Sequence, residues 1–220
     1  MFEIAEDVFL LEGRPRFAYN VYLLDDVLVD AGSRHAERRI LRQLAGRKVR
    51  AHAVTHAHPD HQGASHAVCE RLGLPLWCGA GDADALESGD LTAVTPDVAI
   101  ARWQLAHWAG PAHPVARRLR EGDVVGGFTV LETPGHTPGS VSFWREADRV
   151  MIAGDVVNRR PLVMGGALAE APVAFCVDPA RNRESIRRLA GLDPRIVCVG
   201  HGHPLRDTGQ LADLAARLPA

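Results

Sequence analysis

The segment THAHPDHQG (55–63) places three histidines and one aspartate within six consecutive positions. A surface loop has no need of so many metal-binding groups, and a core could not easily satisfy their polar atoms. The segment follows VRAHAVT (49–55), a run with the residue types of a β-strand. The sequence therefore predicts a strand that ends at a cluster of metal-binding side chains.

Other metal-competent residues also follow predicted strands. They are Asp30 in VLVDAG, His136 in VLETPGHTPGS, Asp155 in MIAGD and His201 in VCVGHGHP. Strand ends at one edge of a sheet assembly can converge on one site, where loops carry chemistry and strands hold them rigid. Each residue alone has an ordinary explanation, such as a turn, or a helix N-cap for Asp60. Together with the HxHxDH spacing, they indicate a metal site.

The candidate metal ligands are all nitrogen or oxygen donors: His56, His58, Asp60, His61, His136, Asp155 and His201. One zinc ion takes about four ligands, and a catalytic zinc keeps one position for water. This set of protein groups is too large for one catalytic ion and suits two ions that share a carboxylate. We predict two divalent ions, with zinc first and manganese or iron as the alternatives.

The hydrophobic pattern predicts strands that alternate with helices. Strands are predicted at 7–11, 18–24, 27–32, 49–55, 75–79, 123–133, 140–144, 149–154 and 195–200, with a turn at Asp25–Asp26. Helices are predicted at 35–45, 62–72, 184–189 and 207–218. This order suits two sheets packed face to face with helices outside, in one α/β domain over residues 1–220.

Two segments lack a clear strand pattern. Residues 80–121 are predicted as helices and loops, either one wall of a substrate pocket or a packed connector that covers a sheet edge. Residues 158–176 belong to a segment rich in glycine and proline and are predicted as a loop.

Composition and charge limit the classes of partner. A net charge of −2 gives no reason to expect a nucleic acid or an anionic membrane. No apolar run approaches the roughly 20 residues of a membrane span, and the start, MFEIAEDVFLLEG, lacks the basic head of a signal peptide. The four scattered cysteines are expected to be reduced and mostly buried. We predict a cytoplasmic protein with a small-molecule substrate, and a homodimer is compatible with the sequence.

HAHPDH, PGHTPGS, GD and GHGHP, in that order and after VLVDAG, resemble the motifs of the metallo-β-lactamase superfamily. The resemblance covers the chain from about Tyr19 to Pro204. It implies a four-layer αββα sandwich with a two-metal site at one edge.

The resemblance also implies a role for each candidate. The residues matching the first metal's ligands are His56, His58 and His136, and those matching the second metal's ligands are Asp60, His61 and His201. Asp155 would bridge the two ions. Asp30 has no metal role in the family's pattern and would orient a ligand histidine.

A hydroxide that bridges two divalent ions is a nucleophile at neutral pH, because the metals lower the pKa of the water. The sequence therefore predicts a metal-dependent hydrolase that cleaves a thioester, ester or lactone of a small molecule. Asp60 and Asp155 are the predicted catalytic residues, and Asp60 is also a candidate proton relay.

Glyoxalase II, a thioesterase, is similar in the first motif and in the bridging aspartate. The chain departs from it at Ala64, which replaces a second glycine, and in NRRPLVMGGALAE (158–170), which does not match the glutathione-contacting stretch. It also ends before a helical substrate domain. These departures argue against specificity for a glutathione thioester, and a thioesterase or esterase stays a candidate. Two alternatives are a persulfide dioxygenase with one iron, held by residues matching His56, His136 and Asp155, and a non-catalytic metal-binding protein.

Substrate contacts are expected from the two segments without clear strands. Trp103 and Trp108 are candidates for an apolar wall, and Arg159 or Arg160 for contact with an anionic group. The ordinary alternative is a core tryptophan and solvated arginines.

The remaining histidines divide into two groups. His107, His113 and His203 are further candidates for the site, whereas His35, His52 and His66 are predicted on the surface or on a helix face.

Overall fold

A computed structural model describes residues 1–159, 166–206 and 209–219 of the chain. The strands are, in chain order, β1 (Phe2–Ala5), β2 (Val8–Leu10), β3 (Tyr22–Leu24), β4 (Val27–Val29), β5 (Ala51–Val54), β6 (Leu76–Gly79), β7 (Val115–Leu119), β8 (Val124–Val125), β9 (Phe128–Glu132), β10 (Val141–Arg145), β11 (Val150–Gly154), β12 (Val157–Arg159), β13 (Leu168–Glu170) and β14 (Ile196–Val199). The helices are α1 (Glu37–Leu44), α2 (Pro59–Gln62), α3 (Ser65–Leu72), α4 (Ala83–Ser88), α5 (Ala99–Trp108), α6 (Pro179–Ala190) and α7 (Gly209–Arg217). Short 3-10 helices lie at Leu91–Val94 and Val173–Phe175.

The first sheet has the strand order β1-β2-β3-β4-β5-β6-β7 among the described residues. Its first four strands pair antiparallel, and the turn predicted at Asp25–Asp26 does join β3 to β4. From β4 to β7 the strands pair in parallel. The carboxyl ends of β4, β5 and β6 therefore lie at one edge, where Asp30 follows β4 and His56 follows β5.

The second sheet has the order β14-β11-β10-β9-β8 in the described part of the chain. Strands β11 and β14 are parallel, and β10 is antiparallel to both β9 and β11. Strands β9, β11 and β14 therefore run in the same direction. The segments that carry His136, Asp155 and His201 all leave the sheet at the same edge.

Three hydrophobic clusters define four layers. One lies between the two sheets and contains Tyr22 and Leu24 of β3 together with Phe143 of β10. Another places Leu23, the intervening residue of β3, with Ile40 of α1 on the outer face of the first sheet. The last packs α6 and α7 against the outer face of the second sheet. The predicted αββα sandwich is confirmed, and alternation along the strands directs side chains into different layers.

The structure differs from the prediction at β1, at β7 and at the hairpin of β8 and β9. The stretch 123–133 is a hairpin of β8 and β9, because Gly126 and Gly127 both have positive φ, 54° and 78°. Residues 80–121 contain β7, in which partly buried and exposed positions alternate and which includes Arg117 and Arg118. Strand β1 was not predicted. Strands β1 and β7 are edge strands, where polar side chains mask the apolar pattern.

Other differences concern helices and loops. The segment 158–176 contributes to a two-stranded sheet of β12 and β13, so it is not wholly a loop. Helix α6 is longer than predicted, and Asp178 caps its start by accepting a hydrogen bond from the backbone N–H of Arg181 at 3.0 Å. The predicted helix at 62–72 is divided at Gly63, where an added Cβ would lie 2.4 Å from Trp108 O.

Two further expectations have different outcomes. All four cysteines are free and buried. His52, by contrast, is fully buried and not on the surface.

Among the described residues, no helix is both long and apolar enough to cross a membrane.

Candidate metal centre

The edges that carry the strand-end residues face each other, and they bring the predicted ligands together around Asp155. Its Oδ2 lies 3.0 Å from His201 Nε2 and 3.7 Å from His136 Nε2. Its Oδ1 lies 3.3 Å from His61 Nε2. The bridging position expected for Asp155 is therefore within reach of histidines from both proposed ligand sets.

The metal-binding side chains form three overlapping groups. In each group, one donor atom per residue lies within 4.8 Å of the others. The groups are His56 with His58 and His136, His56 with His61 and Asp155, and Asp60 with His61 and His201. The first and last groups share no residue, so they offer two separate sets of possible metal ligands.

Each histidine of the first group uses one ring nitrogen for a contact outside the centre. Thr55 Oγ1 lies 3.0 Å from His56 Nδ1, and Val94 O lies 3.0 Å from His58 Nε2. A carbonyl oxygen only accepts hydrogen bonds, so His58 carries its proton on Nε2 and leaves Nδ1 for a ligand. His136 Nδ1 lies 3.5 Å from Cys176 Sγ, which leaves its Nε2 to face Asp155.

The second group is oriented in the same way. His61 Nδ1 donates to Asp30 Oδ2 at 2.9 Å, and Asp30 accepts from Thr55 N at 2.7 Å. His201 Nδ1 donates to the backbone oxygen of Ala18. Such contacts select the tautomer that leaves the other nitrogen free for a metal.

Three buried polar atoms at the centre lack a hydrogen-bond partner among the described residues: His56 Nε2, His136 Nε2 and Asp155 Oδ1. A buried polar group without a partner costs about 1–3 kcal/mol. Imidazole nitrogens and carboxylate oxygens are borderline-to-hard ligands that suit zinc, iron or manganese. Buried atoms of this chemistry without a hydrogen-bond partner fit a bound metal.

Electrostatics lead to the same conclusion. Burial lowers the pKa of His56 and His136 well below the ordinary value, and neighbouring imidazoles lower it further. Burial acts the same way on His201, but the carboxylates of Asp155 and Asp60 outweigh it and raise the pKa to about 9. Asp155 and Asp30 likewise outweigh burial and raise the pKa of His61. The buried carboxylates therefore need a positive charge next to them. A bound metal ion would supply it, and that ion competes with protons for the same histidine nitrogens.

Asp82, which directly precedes α4, is a functional candidate that no sequence motif indicated. It is completely buried, and its carboxylate accepts hydrogen bonds from Ala57 N at 2.8 Å, Thr137 Oγ1 at 2.7 Å and Gly139 N at 2.7 Å. It therefore joins the HxHxDH segment to the loop that carries His136. The available signal was its position soon after a strand and directly after a glycine, as in the MIAGD stretch.

The backbone approaches the centre closely at Gly200. A Cβ added there would lie 1.8 Å from Asp155 Oδ1 and 2.8 Å from His61 Cε1. Asn20 fixes the same loop, because its Nδ2 donates to Val199 O at 2.8 Å and to Gly202 O at 2.7 Å. A glycine is therefore required before His201 for the ligands to approach one another.

A cavity of about 1250 Å³ opens over the centre. Its lining includes His58, Asp60, His136, Asp155 and His201. The cavity is also lined by Arg16, Arg159 and His203, and its apolar lining includes Phe17, Val173 and Phe175. Partial burial, followed by the nearby guanidinium groups of Arg159 and Arg16, lowers the pKa of His203.

The predicted substrate residues lie in different places. Arg159 lines the cavity, whereas Arg160 lies outside the described residues. Trp103 is 46% exposed, and neither it nor Trp108 lines the cavity. The ring of Trp108 lies 5.3 Å from that of Tyr19, which does line it. A substrate role for these residues stays a prediction.

Comparisons with known proteins agree with this architecture. A probable metallo-hydrolase of Bacillus subtilis (strain 168), YflN, is 29% identical over 87% of this chain and 82% of its own length. An acyl-coenzyme A thioesterase of Gallus gallus, MBLAC2, is 32% identical over 47% of this chain and 40% of its own. The crystal structure of TTHA1623 in a di-iron-bound form superimposes with a TM-score of 0.73, at 32% identity over 94% of this chain and 98% of that one.

The sequence model of the metallo-beta-lactamase superfamily matches residues 14–201, which include every predicted metal ligand. The family uses metal ions, and relatives in it are named as metallo-hydrolases. The match covers most of the chain and spans both sheets. This chain, an enzyme of the metallo-beta-lactamase fold, belongs to the metallo-beta-lactamase superfamily.

Proposed function

We propose that the protein is a hydrolase that uses two divalent metal ions, zinc first, to cleave the thioester, ester or lactone bond of a small molecule. The first ion would be held by His56, His58 and His136, and the second by Asp60, His61 and His201, with Asp155 between them. The observation that carries the proposal is the set of histidine contacts outside the centre. Each contact occupies one ring nitrogen of a histidine and leaves the other nitrogen of that ring free to bind a metal.

The ions, when bound, would make a water molecule nucleophilic at neutral pH and polarise the oxygen of the substrate. The chain's own residues then set the geometry. Asp30 holds the ring of His61 in place through a hydrogen bond of 2.9 Å. Asp60 lines the cavity, and its Oδ2 lies 3.4 Å from His201 Nε2. We place Asp60 as the group that takes the proton of the water and returns it to the leaving group.

The cavity supports a substrate with an apolar part and an anionic part. Phe17 and Phe175 offer apolar contact, and Arg159 offers a guanidinium group. The acyl-coenzyme A thioesterase among the relatives supports a thioester as the first substrate class to test. A cytoplasmic location, and the absence of nucleic-acid and membrane partners, stay predictions.

The test begins with the metal content of protein purified without added metal, measured by mass spectrometry. About two zinc or manganese ions per chain, with hydrolysis of at least one thioester, ester or lactone after reloading, are expected. Asp155→Ala should lose metal and nearly all hydrolysis. The exposed Asp97→Ala, whose carboxylate pairs with Arg102 away from the centre, is the matched control and should retain both.

Two outcomes would replace this proposal. About one iron per chain, with oxygen consumed when a persulfide is added, would indicate the dioxygenase. Bound metal with no turnover of any ester class would favour the non-catalytic metal-binding protein. Full hydrolysis by Asp155→Ala would contradict the assignment of that residue.

A further inference from the structure

A second cavity adjoins the one over the metal centre. It has a volume of about 300 Å³ and shares Arg16, Phe17 and His203 with the larger cavity. It is otherwise lined by Phe2, Ile4, Leu10, Pro204 and Arg206. A ligand that reaches past the shared residues would therefore occupy both cavities.

The charged side chains in this lining are arginines. Arg16 makes no hydrogen bond or ion pair with any described residue, and its guanidinium carbon lies 4.5 Å from the centre of the Phe2 ring. Arg206 donates one hydrogen bond, from Nη2 to Ile4 O at 2.6 Å, and has no carboxylate partner in the described part of the chain. Most of the donors of both guanidinium groups stay available for an anion.

Apolar surface surrounds these cations. The rings of Phe17 and His203 lie 3.7 Å apart, and the Arg16 guanidinium lies 5.4 Å from the centre of the Phe17 ring. Contact with aromatic faces holds an arginine in place and leaves its edge for a bidentate contact with phosphate or carboxylate. The lining therefore combines a surface for a flat or apolar body with donors for a negative charge.

The backbone at the junction of the two cavities is strained. Phe17 has a φ of 62°, a left-handed conformation that is rare for an aromatic residue. It is held there by a hydrogen bond of 2.8 Å from Gly202 N to Phe17 O. Such strain concentrates at functional sites, where the surrounding structure enforces it. Here it places the Phe17 ring in the wall shared by both cavities.

We infer that the second cavity is a subsite for the anionic distal group of the substrate. The leaving group of the cleaved bond extends past the residues that both cavities share and into this subsite. The inference rests on the proposed function for the position of the reacting bond. Phosphate and carboxylate share the chemistry that two guanidinium groups recognise. The experiment therefore distinguishes the two.

The kinetic test uses three acetyl thioesters that differ only in the thiol: acetyl-coenzyme A, S-acetylglutathione and S-acetyl-N-acetylcysteamine. Their thiols carry phosphates, carboxylates and no charge, respectively. We expect the metal-loaded wild type to prefer an anionic thiol through a lower KM. Arg16→Gln and Arg206→Gln should each reduce that preference, measured as the ratio of kcat/KM values, about tenfold.

Control variants separate the loss of a contact from the loss of charge. Arg38→Gln removes an exposed arginine of α1 that lines neither cavity, and it should leave the preference for an anionic thiol intact. Arg206→Lys keeps the charge next to Ile4 and should retain part of the preference. A preference that falls equally in Arg38→Gln would mean a diffuse effect of net charge and would overturn the subsite.

A binding measurement keeps the subsite testable without catalysis. Isothermal titration calorimetry of adenosine 3′,5′-bisphosphate and of S-methylglutathione, which both lack a free thiol, is made on wild type and on Asp155→Ala. We expect at least one of them to bind both proteins, with a Kd raised about tenfold by Arg16→Gln.

The outcomes separate the two proposals. If no thioester is cleaved but binding depends on Arg16 and Arg206, the proposed function fails and the subsite stands. If all three thioesters are cleaved with the same KM and neither arginine affects binding, the subsite is overturned and the function stands. A preference for phosphate over carboxylate, or the reverse, identifies the anionic group.

Discussion

Sγ of Cys176 lies 3.5 Å from Nδ1 of His136, at the end of the imidazole away from Asp155. The thiol is buried, and burial, followed by the negative charge of Asp155, raises its pKa to about 12. It is therefore a neutral thiol in the position where a carbonyl or carboxylate more often supports a ligand histidine. Segments 40 residues apart in sequence form this contact.

Replacing this thiol should lower the affinity of the protein for the first metal ion. Cys176→Ala removes the partner of His136 Nδ1, and we expect metal affinity to fall about tenfold, the lower end of the range for such support. Cys176→Ser restores a group that can accept from the ring and should lose less. Competition with a fluorescent chelator measures the affinity. Cys69→Ala, at a buried cysteine of α3, is the matched control. Equal metal affinity in wild type and Cys176→Ala would show that the contact does not support the ligand.

Asp30 should matter mainly to the second metal. Its Oδ2 accepts a hydrogen bond from His61 Nδ1 at 2.9 Å. The amide of Asp30→Asn can present an N–H to His61 Nδ1 instead of an acceptor. We expect a loss of roughly 10–100-fold in the affinity of one ion, with the other retained. Metal content after limited dialysis against a chelator, measured per chain, shows the difference. Equal losses of both ions would show that Asp30 supports the two ligand groups alike.

Asp82 should contribute to stability as well as to site geometry. Its carboxylate accepts from Ala57 N, Thr137 Oγ1 and Gly139 N, so the amide of Asp82→Asn would place an NH₂ against a donor. We expect the free energy of unfolding to fall by about 2–3 kcal/mol in metal-free protein. Urea denaturation measures this change. Asp84→Asn, at an exposed aspartate of α4, should change it by less than about 0.5 kcal/mol. A small effect of Asp82→Asn would mean that the loops are held by other contacts.

His52 should make stability depend on pH. Its Nδ1 lies 3.1 Å from Leu28 O and its Nε2 2.8 Å from Ser65 Oγ, and burial lowers its pKa from 6.5 to about 4. Below pH 6.5 the unfolded chain takes up a proton that the folded chain excludes. The contribution of neutral His52 to the free energy of unfolding is therefore complete above pH 6.5. It is lost as the pH falls towards about 4, and the loss is on the order of 3 kcal/mol.

The measurement compares metal-free wild type with His52→Gln by urea denaturation at about pH 7.5 and about pH 4.5. All other residues are the same in both proteins, so the difference between the two pH dependences isolates His52. We expect the wild type to lose more stability than the variant on acidification. Parallel losses in the two proteins would contradict a depressed pKa.

Much of the fold and of the candidate site could be predicted because the signals are local. The strands that carry Asp30, Asp155 and His201 are apolar runs that end at a metal-competent residue, and Asp25–Asp26 marks a hairpin turn. Strand β7 was missed because Arg117 and Arg118 obscure its alternation at a sheet edge. The hairpin of β8 and β9 was read as one strand because two glycines, without side chains, interrupt an otherwise continuous β pattern.

The sequence alone determined the donor chemistry, since five histidines and two aspartates at those spacings predict a metal centre whatever the details of packing. Only the tertiary structure decided what supports it. Cys176 behind His136, Asp82 between two loops and the arginines of the second cavity are each joined to partners far away in the chain. Their roles depend on which loops the two sheets bring to one edge, and that is set by packing between layers rather than by any local pattern.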